Sequence, residues 1–119
     1  MTFHANGKID ISARVSNALS LSRGDVIDIM DDGDGEAYIY VKHRAPVVGR
    51  HEAVCFPTKD GGHHFRTWSL KLCRYVMDTC RMDVIRMGVP TGEPVTLDVG
   101  VALPIIYKYI LSHDTRNQI

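Results

Sequence analysis

The sequence has no charge excess. Fourteen basic and fourteen acidic residues cancel to a formal net charge of zero. Nucleic-acid binders usually carry a basic excess, because phosphate neutralisation dominates their affinity, so any such binding here requires a local patch. Cysteines are few: Cys55, Cys73 and Cys80. An odd number without CxxC spacing argues against a disulfide framework. No apolar run reaches the roughly 18–20 residues of a membrane-spanning helix. The longest, over 99–106, is interrupted by Gly100 and Pro104. The opening MTFHANGKID carries no charged-then-apolar targeting segment. The expectation is a cytoplasmic, reduced protein with no membrane association. Low-complexity runs are also missing, and 119 residues suit one compact domain over 1–119 that needs no metal or disulfide staple.

Chemistry-bearing motifs are equally sparse. His63-His64 and the three cysteines lack structural-zinc spacing, and adjacent strand residues point to opposite faces. Asp31-Asp32-Gly33-Asp34-Gly35-Glu36 resembles part of a calcium loop, but Lys42 stands at its twelfth position, so a solvated hairpin turn is the plainer reading. Gly33-x-Gly35 is not followed by a third glycine opening a helix. No nucleophile–base–orienter set emerges from the serines, histidines and aspartates. The chain is therefore expected to be no enzyme and to hold no cofactor or metal.

What is present is alternation. Strands are expected over 3–5 and 8–12 around Asn6-Gly7, a pair suited to a two-residue hairpin turn. Ser12 is a candidate helix N-cap. Val15, Ala18 and Leu19 form a short helical stripe. Gly24 suits a chain reversal. Strands over 26–29 and 36–42 flank the Asp/Gly turn. After a connector the pattern restarts, with strands over 52–57 and 63–68 around Lys59-Asp60-Gly61-Gly62. Ser69 is a second candidate N-cap, ahead of a stripe of Leu72, Val76 and Cys80 widened by Cys73 and Met77. Further strands follow over 83–87, 95–99 and 103–110, the last two around Gly100.

The halves overlay. Ser12 matches Ser69 at an offset of 57, which carries Val15 to Leu72 and Leu19 to Val76. One inserted residue then aligns Arg23, Asp25, Val26 and Ile27 with Arg81, Asp83, Val84 and Ile85, and an offset of 66 pairs Ile39 with Ile105 and Lys42 with Lys108. At offset 57, however, Ile9 meets Arg66, so the first strand needs a one-residue slip or a bulge. The organisation read from this is a first unit over 1–43, a connector over 44–51, a second unit over 52–111 and a tail over 112–119. One such unit exposes an apolar hairpin face, and two together bury it.

Gly7-Lys8-Ile9-Asp10-Ile11-Ser12, then Arg14-Val15, then Leu19-Ser20-Leu21-Ser22-Arg23-Gly24-Asp25-Val26-Ile27-Asp28-Ile29 resembles the AbrB/SpoVT (SpoVT-AbrB) family pattern: a G-K-I strand, a short helix ending in L-x-L, a G-D turn and a hairpin. Ser12-Ala13 stands where that pattern usually has proline. The resemblance implies a mainly β fold with two short helices, a pseudo-twofold swapped-hairpin (AbrB-like) barrel of two strand-helix-strand-strand units. It also implies a DNA-binding transcriptional regulator acting on double-stranded DNA, as a monomer or homodimer. Its binding residues carry over to Lys8, Arg14 and Arg23, with Lys71 and Arg81 as their second-unit counterparts. Arg66 and Arg74 join them as basic residues on the same elements.

Asp10, Asp25, Asp28 and Asp78 lie near this basic set and oppose phosphate binding. The alternative is a protein-interaction module, antitoxin-like, phage-derived or an adaptor, that keeps the barrel without binding DNA. Trp68, Tyr38, Tyr40, Tyr107 and Tyr109 are expected in cross-strand packing. A stacking platform for single-stranded nucleic acid would need them facing solvent.

Overall fold

The computed structural model describes residues 1–45 and 52–107. Chain order is β1 (Thr2–His4), β2 (Lys8–Ile11), α1 (Ala13–Ala18), β3 (Val26–Asp31), β4 (Ala37–His43), β5 (Phe56–Pro57), β6 (Phe65–Trp68), α2 (Leu70–Cys80), β7 (Arg86–Gly88), β8 (Val95–Leu97) and β9 (Gly100–Pro104). The protein is mainly β: two antiparallel sheets, in the orders β5-β6-β2-β1-β7 and β3-β4-β9-β8, with two short helices. In both sheets the central ladder joins a strand from the first half to one from the second. These are β2·β6, with Ile9 opposite Thr67, and β4·β9, with Ile39 opposite Leu103.

Alternation decides which side chains go inside. Ile9, Ile11, Phe65 and Thr67 are buried, as are Ile39 and Leu103. Each large apolar side chain so buried stabilises the fold by about 1.5–3 kcal/mol. Both helices start where a serine accepts from an otherwise unpaired amide. The Val15 N–H reaches Ser12 Oγ at 3.4 Å and the Leu72 N–H reaches Ser69 Oγ at 3.1 Å. The expected stripes face inward, with Val15 and Leu19 on one helix and Leu72, Cys73, Val76, Met77 and Cys80 on the other. α1 lies against β9, and α2 against β1 and β2. The β1–β2 loop docks on the start of α2: the Ser69 N–H donates to the Gly7 carbonyl at 2.8 Å. Gly7 has φ +97°, and an added Cβ would stand 3.1 Å from the Leu70 nitrogen. Only glycine fits that approach.

Several expectations shift. Among the described residues the ladders form two sheets and do not close one barrel. One isolated bridge, Val26 to Val54, joins β3 of one sheet to the segment leading into β5 of the other, while the bridge from Thr91 to Ile105 continues the β8–β9 hairpin. The Asn6-Gly7 turn is a three-residue loop, Ala5 to Gly7, with the Gly7 N–H donating to the His4 carbonyl. The strand expected over 52–57 shrinks to β5, because Ala53 takes φ +64° and the backbone of Cys55 bonds to Gly24 and Asp25 instead. The strand expected over 83–87 becomes β7. Val26 and Ile27 are buried but Ile85 is 84% exposed, so the RxDVI match does not mark equivalent positions. The cause is the longer α2, which uses Arg81 as its left-handed cap, whereas after α1 the left-handed residue is Ser20. Asp98-Val99 makes the last turn and Gly100 opens β9, two to three residues earlier than expected. The one-residue slip sits at Trp68, which stands between buried Thr67 and Ser69 and is 55% exposed rather than packed. Tyr38 and Tyr40 are half-buried, and Tyr107 is buried. Tyr109, the Lys42–Lys108 match, the connector from residue 46 to 51 and everything beyond 107 lie outside the described residues.

The G-D turn is held by a buried carboxylate. Asp25, 1% exposed, accepts from the Ser22 amide at 2.8 Å, the Ala45 amide at 2.8 Å and Arg44 Nη1 at 3.0 Å. It joins the end of α1 to the end of β4, while its backbone carbonyl accepts from the Cys55 amide of the other half. Asp25→Ala is expected to lower unfolding free energy by about 3 kcal/mol, since two amides and a guanidinium lose their acceptor. Urea denaturation followed by circular dichroism measures it, and a loss under 1 kcal/mol contradicts the account.

Candidate nucleic-acid interface

Because Ile9, Ile11, Phe65 and Thr67 point inward, Lys8, Asp10, Arg66 and Trp68 must point outward. Directly opposed residues of an antiparallel pair share a face. The registers therefore lay Thr2, Asp10, Arg66 and Phe56 in one row across the five-stranded sheet. Beside that row Lys8 opposes Trp68, and His4 opposes Arg86. Phe56 is 47% exposed and Trp68 55% exposed. Arg23, from the turn after α1, places its guanidinium 6.0 Å from the Phe56 ring centroid, within cation–π range, and stands 3.6 Å from Asp60.

Asp10 is the electrostatic centre of this face. Its carboxylate accepts from Arg66 Nε at 2.8 Å and lies 3.0 Å from His4 Nε2. Burial acts to raise its pKa, but the hydrogen bonds from Arg66 and His4, aided by the charges of Arg66 and Lys8, outweigh burial and hold it below the usual value.

The other basic residues of the expected set are not brought here. Arg14 bonds Thr91 Oγ1 at 3.1 Å and stands 3.8 Å from Glu93. Lys71 lines a shallow cavity with Asp28, Lys42 and Glu52. Arg74 lines another with Asp78 and Asp83, whose charges offset it. Arg81 caps α2. So Lys8, Arg66 and Arg23 converge, and Arg14, Lys71, Arg74 and Arg81 do not form one stripe with them. The sequence reading missed Phe56, Arg86 and His4, whose signal was their parity with Arg66 and Lys8, readable only once the register is known.

The cysteines are buried and unbridged. Burial pushes the Cys55 thiol up to about 12, which leaves it protonated and unreactive at neutral pH. Among the described residues no group of three or more His, Cys, Asp or Glu is placed to hold a metal ion, and no helix is long and apolar enough to cross a membrane. Comparison with known proteins finds no matching family model, curated protein or solved structure.

A carboxylate whose pKa is depressed on folding contributes stability above its unfolded pKa and loses it as pH falls through the folded value. The stability supplied by Asp10 is therefore complete above about pH 4 and lost below it. Asp10→Asn is expected to be less stable than wild type at pH 6 and to show a shallower decline between about pH 4 and pH 2. Urea midpoints across that range measure both, and parallel curves rule the Asp10 cluster out as a source of acid sensitivity.

Proposed function

We propose that the chain is a DNA-binding module, a transcriptional regulator of the AbrB-like type, built from two interleaved copies of one unit in a swapped-hairpin barrel. The observation that carries the binding reading is the outward face of the five-stranded sheet. There Lys8, Arg66, Arg86 and Arg23 outnumber Asp10 and Asp60, so a neutral chain presents a locally cationic surface. The interleaved reading draws on the registers. Ile27 opposes Val41 and Thr91 opposes Ile105, pairs related by one offset (27 + 64 = 91; 41 + 64 = 105), and the same offset relates Ile39 to Leu103, which face each other in the central ladder. The sheet orders fit it too, since β3-β4 mirrors β8-β9 and β5-β6 mirrors β1-β2. The bridge from Val26 to Val54 and the backbone bonds of Cys55 to Gly24 and Asp25 join the two sheets along one side and support the barrel reading.

A second reading is a protein-interaction module. It is favoured by Val95, Val99 and Val101, exposed along the β8–β9 hairpin, where β8 is an edge strand of its sheet among the described residues.

Titrating the protein into fluorescent DNA at several salt concentrations tests the first reading. Binding should weaken with salt. Lys8→Gln and Arg66→Gln should each flatten the log–log salt slope by about 0.7–0.9, the value for one phosphate contact. Asp10→Asn should strengthen binding, because it unmasks Arg66. No complex with any DNA at low salt, or unchanged binding in all three variants, sinks the assignment of this face.

A further inference from the structure

The two exposed rings on this face, Phe56 and Trp68, point to the kind of ligand it takes. Resting on the DNA-binding reading, we infer that the open face of the five-stranded sheet takes single-stranded DNA, with unpaired bases stacked on Phe56 and Trp68 and phosphates on Lys8, Arg66 and Arg23.

Geometry argues against a duplex. Lys8 and Arg66 lie on β2 and β6, inner strands of the sheet. Five strands about 4.8 Å apart span roughly 19 Å, whereas the major groove is about 12 Å wide and admits a helix or a two-stranded ribbon. A duplex would rest its backbone on this face and leave the rings against sugar and phosphate, with no base surface to cover them. In a single strand the base faces are available, and each base stacks on an aromatic ring irrespective of its identity.

The placement of the rings fits that ligand. Phe56 opposes Arg66, and Trp68 is two residues along β6 from Arg66, so the rings are diagonal neighbours on adjacent strands, about 7–8 Å apart at the backbone. Cations surround them. Arg66 lies beside Phe56, Lys8 opposes Trp68, and the Arg23 guanidinium stands 6.0 Å from the Phe56 ring centroid. Charge complementarity selects a polyanion, and the two rings select one with exposed aromatic faces. An apolar protein segment would match the rings but would desolvate Lys8, Arg66 and Arg23 with only Asp10 and Asp60 to offset them.

Trp68 is the chain's single tryptophan, so intrinsic fluorescence reports directly on this ring. The test uses the full chain with oligothymidylate and with a mixed-sequence duplex of equal length at low salt. Oligothymidylate should quench Trp68 fluorescence and bind more tightly than the duplex. Phe56→Ala, at an exposed position, should weaken oligothymidylate binding about ten-fold or more with an unchanged circular dichroism spectrum. Trp68→Phe should largely preserve binding and Trp68→Ala should not. Duplex binding without oligothymidylate quenching overturns this inference and leaves the DNA-binding reading standing. Absence of binding to either overturns both. A fluorescence change on raising protein concentration alone, with a doubled mass in solution, means that a second copy covers the rings, and also overturns it.

Discussion

Neither half of the chain can complete a sheet without the other, and the rest of the structure follows from that constraint. The centre of one sheet is Lys8–Ile11 against Phe65–Trp68, and the centre of the other is Tyr38, Ile39 and Tyr40 against Pro104, Leu103 and Ala102. Removing either partner would expose a long hydrogen-bonding edge and bare Ile9, Ile11, Ile39 and Leu103, all of them at or near zero exposure. The backbone bonds between Cys55 and the Gly24-Asp25 turn, and between Met1 and Val89, repeat the same dependence at the periphery. Such pairings are long-range in sequence. Their chain-closure entropy must be met before the core offsets it, so the halves should fold together rather than in turn.

The same register creates the outer face. A strand has only two sides, and once Ile9, Ile11, Phe65 and Thr67 are committed to the core, Lys8, Asp10, Arg66 and Trp68 are committed to solvent. A one-residue slip of β6 would bury Arg66 and Trp68 and expose Phe65. The cationic face is thus as well determined as the core. The extra residue between buried Thr67 and capping Ser69 is what turns Trp68 outward. The first half has no counterpart, since Ile11 precedes Ser12 directly.

How much of this was legible in the sequence depended on whether the signal was local. The serine caps, the helical stripes, the Asp/Gly turn and the first hairpin rest on neighbours within four residues, and they stand close to where the pattern put them. The β7 boundary does not, because pairing with β1 far along the chain sets it, while β9 starts early because Asp98-Val99, and not the residues around Gly100, makes the turn from β8. The RxDVI identity misled for that reason: similar residues follow helices of different length, and α2 spends its extra turn before the strand begins. Of the candidate site, Lys8, Arg66 and Arg23 were legible as cations on suitable elements. Their convergence with Phe56 and Arg86 was not, since it requires the pairing of β6 with both β2 and β5. Arg14 and Lys71 occupy matching helix positions, yet one meets Thr91 and the other lies near Glu52, so equivalence in the repeat did not become a common surface.

Net neutrality finally bears on what kind of binding this face can sustain. Lys8, Arg66, Arg86 and Arg23 are opposed there by Asp10 and Asp60, which leaves an excess of two charges (4 − 2). Two phosphate neutralisations correspond to a shallow salt dependence and a weak, non-specific electrostatic affinity. A duplex held by that alone would dissociate readily at physiological salt. The proposed stacking on Phe56 and Trp68 would add affinity that salt does not screen, about 1–3 kcal/mol for each base covered. On the proposed reading, a chain with so little charge to offer would gain most from a ligand whose bases are free, and this is the physical argument for treating the exposed rings and the modest cationic excess as one site.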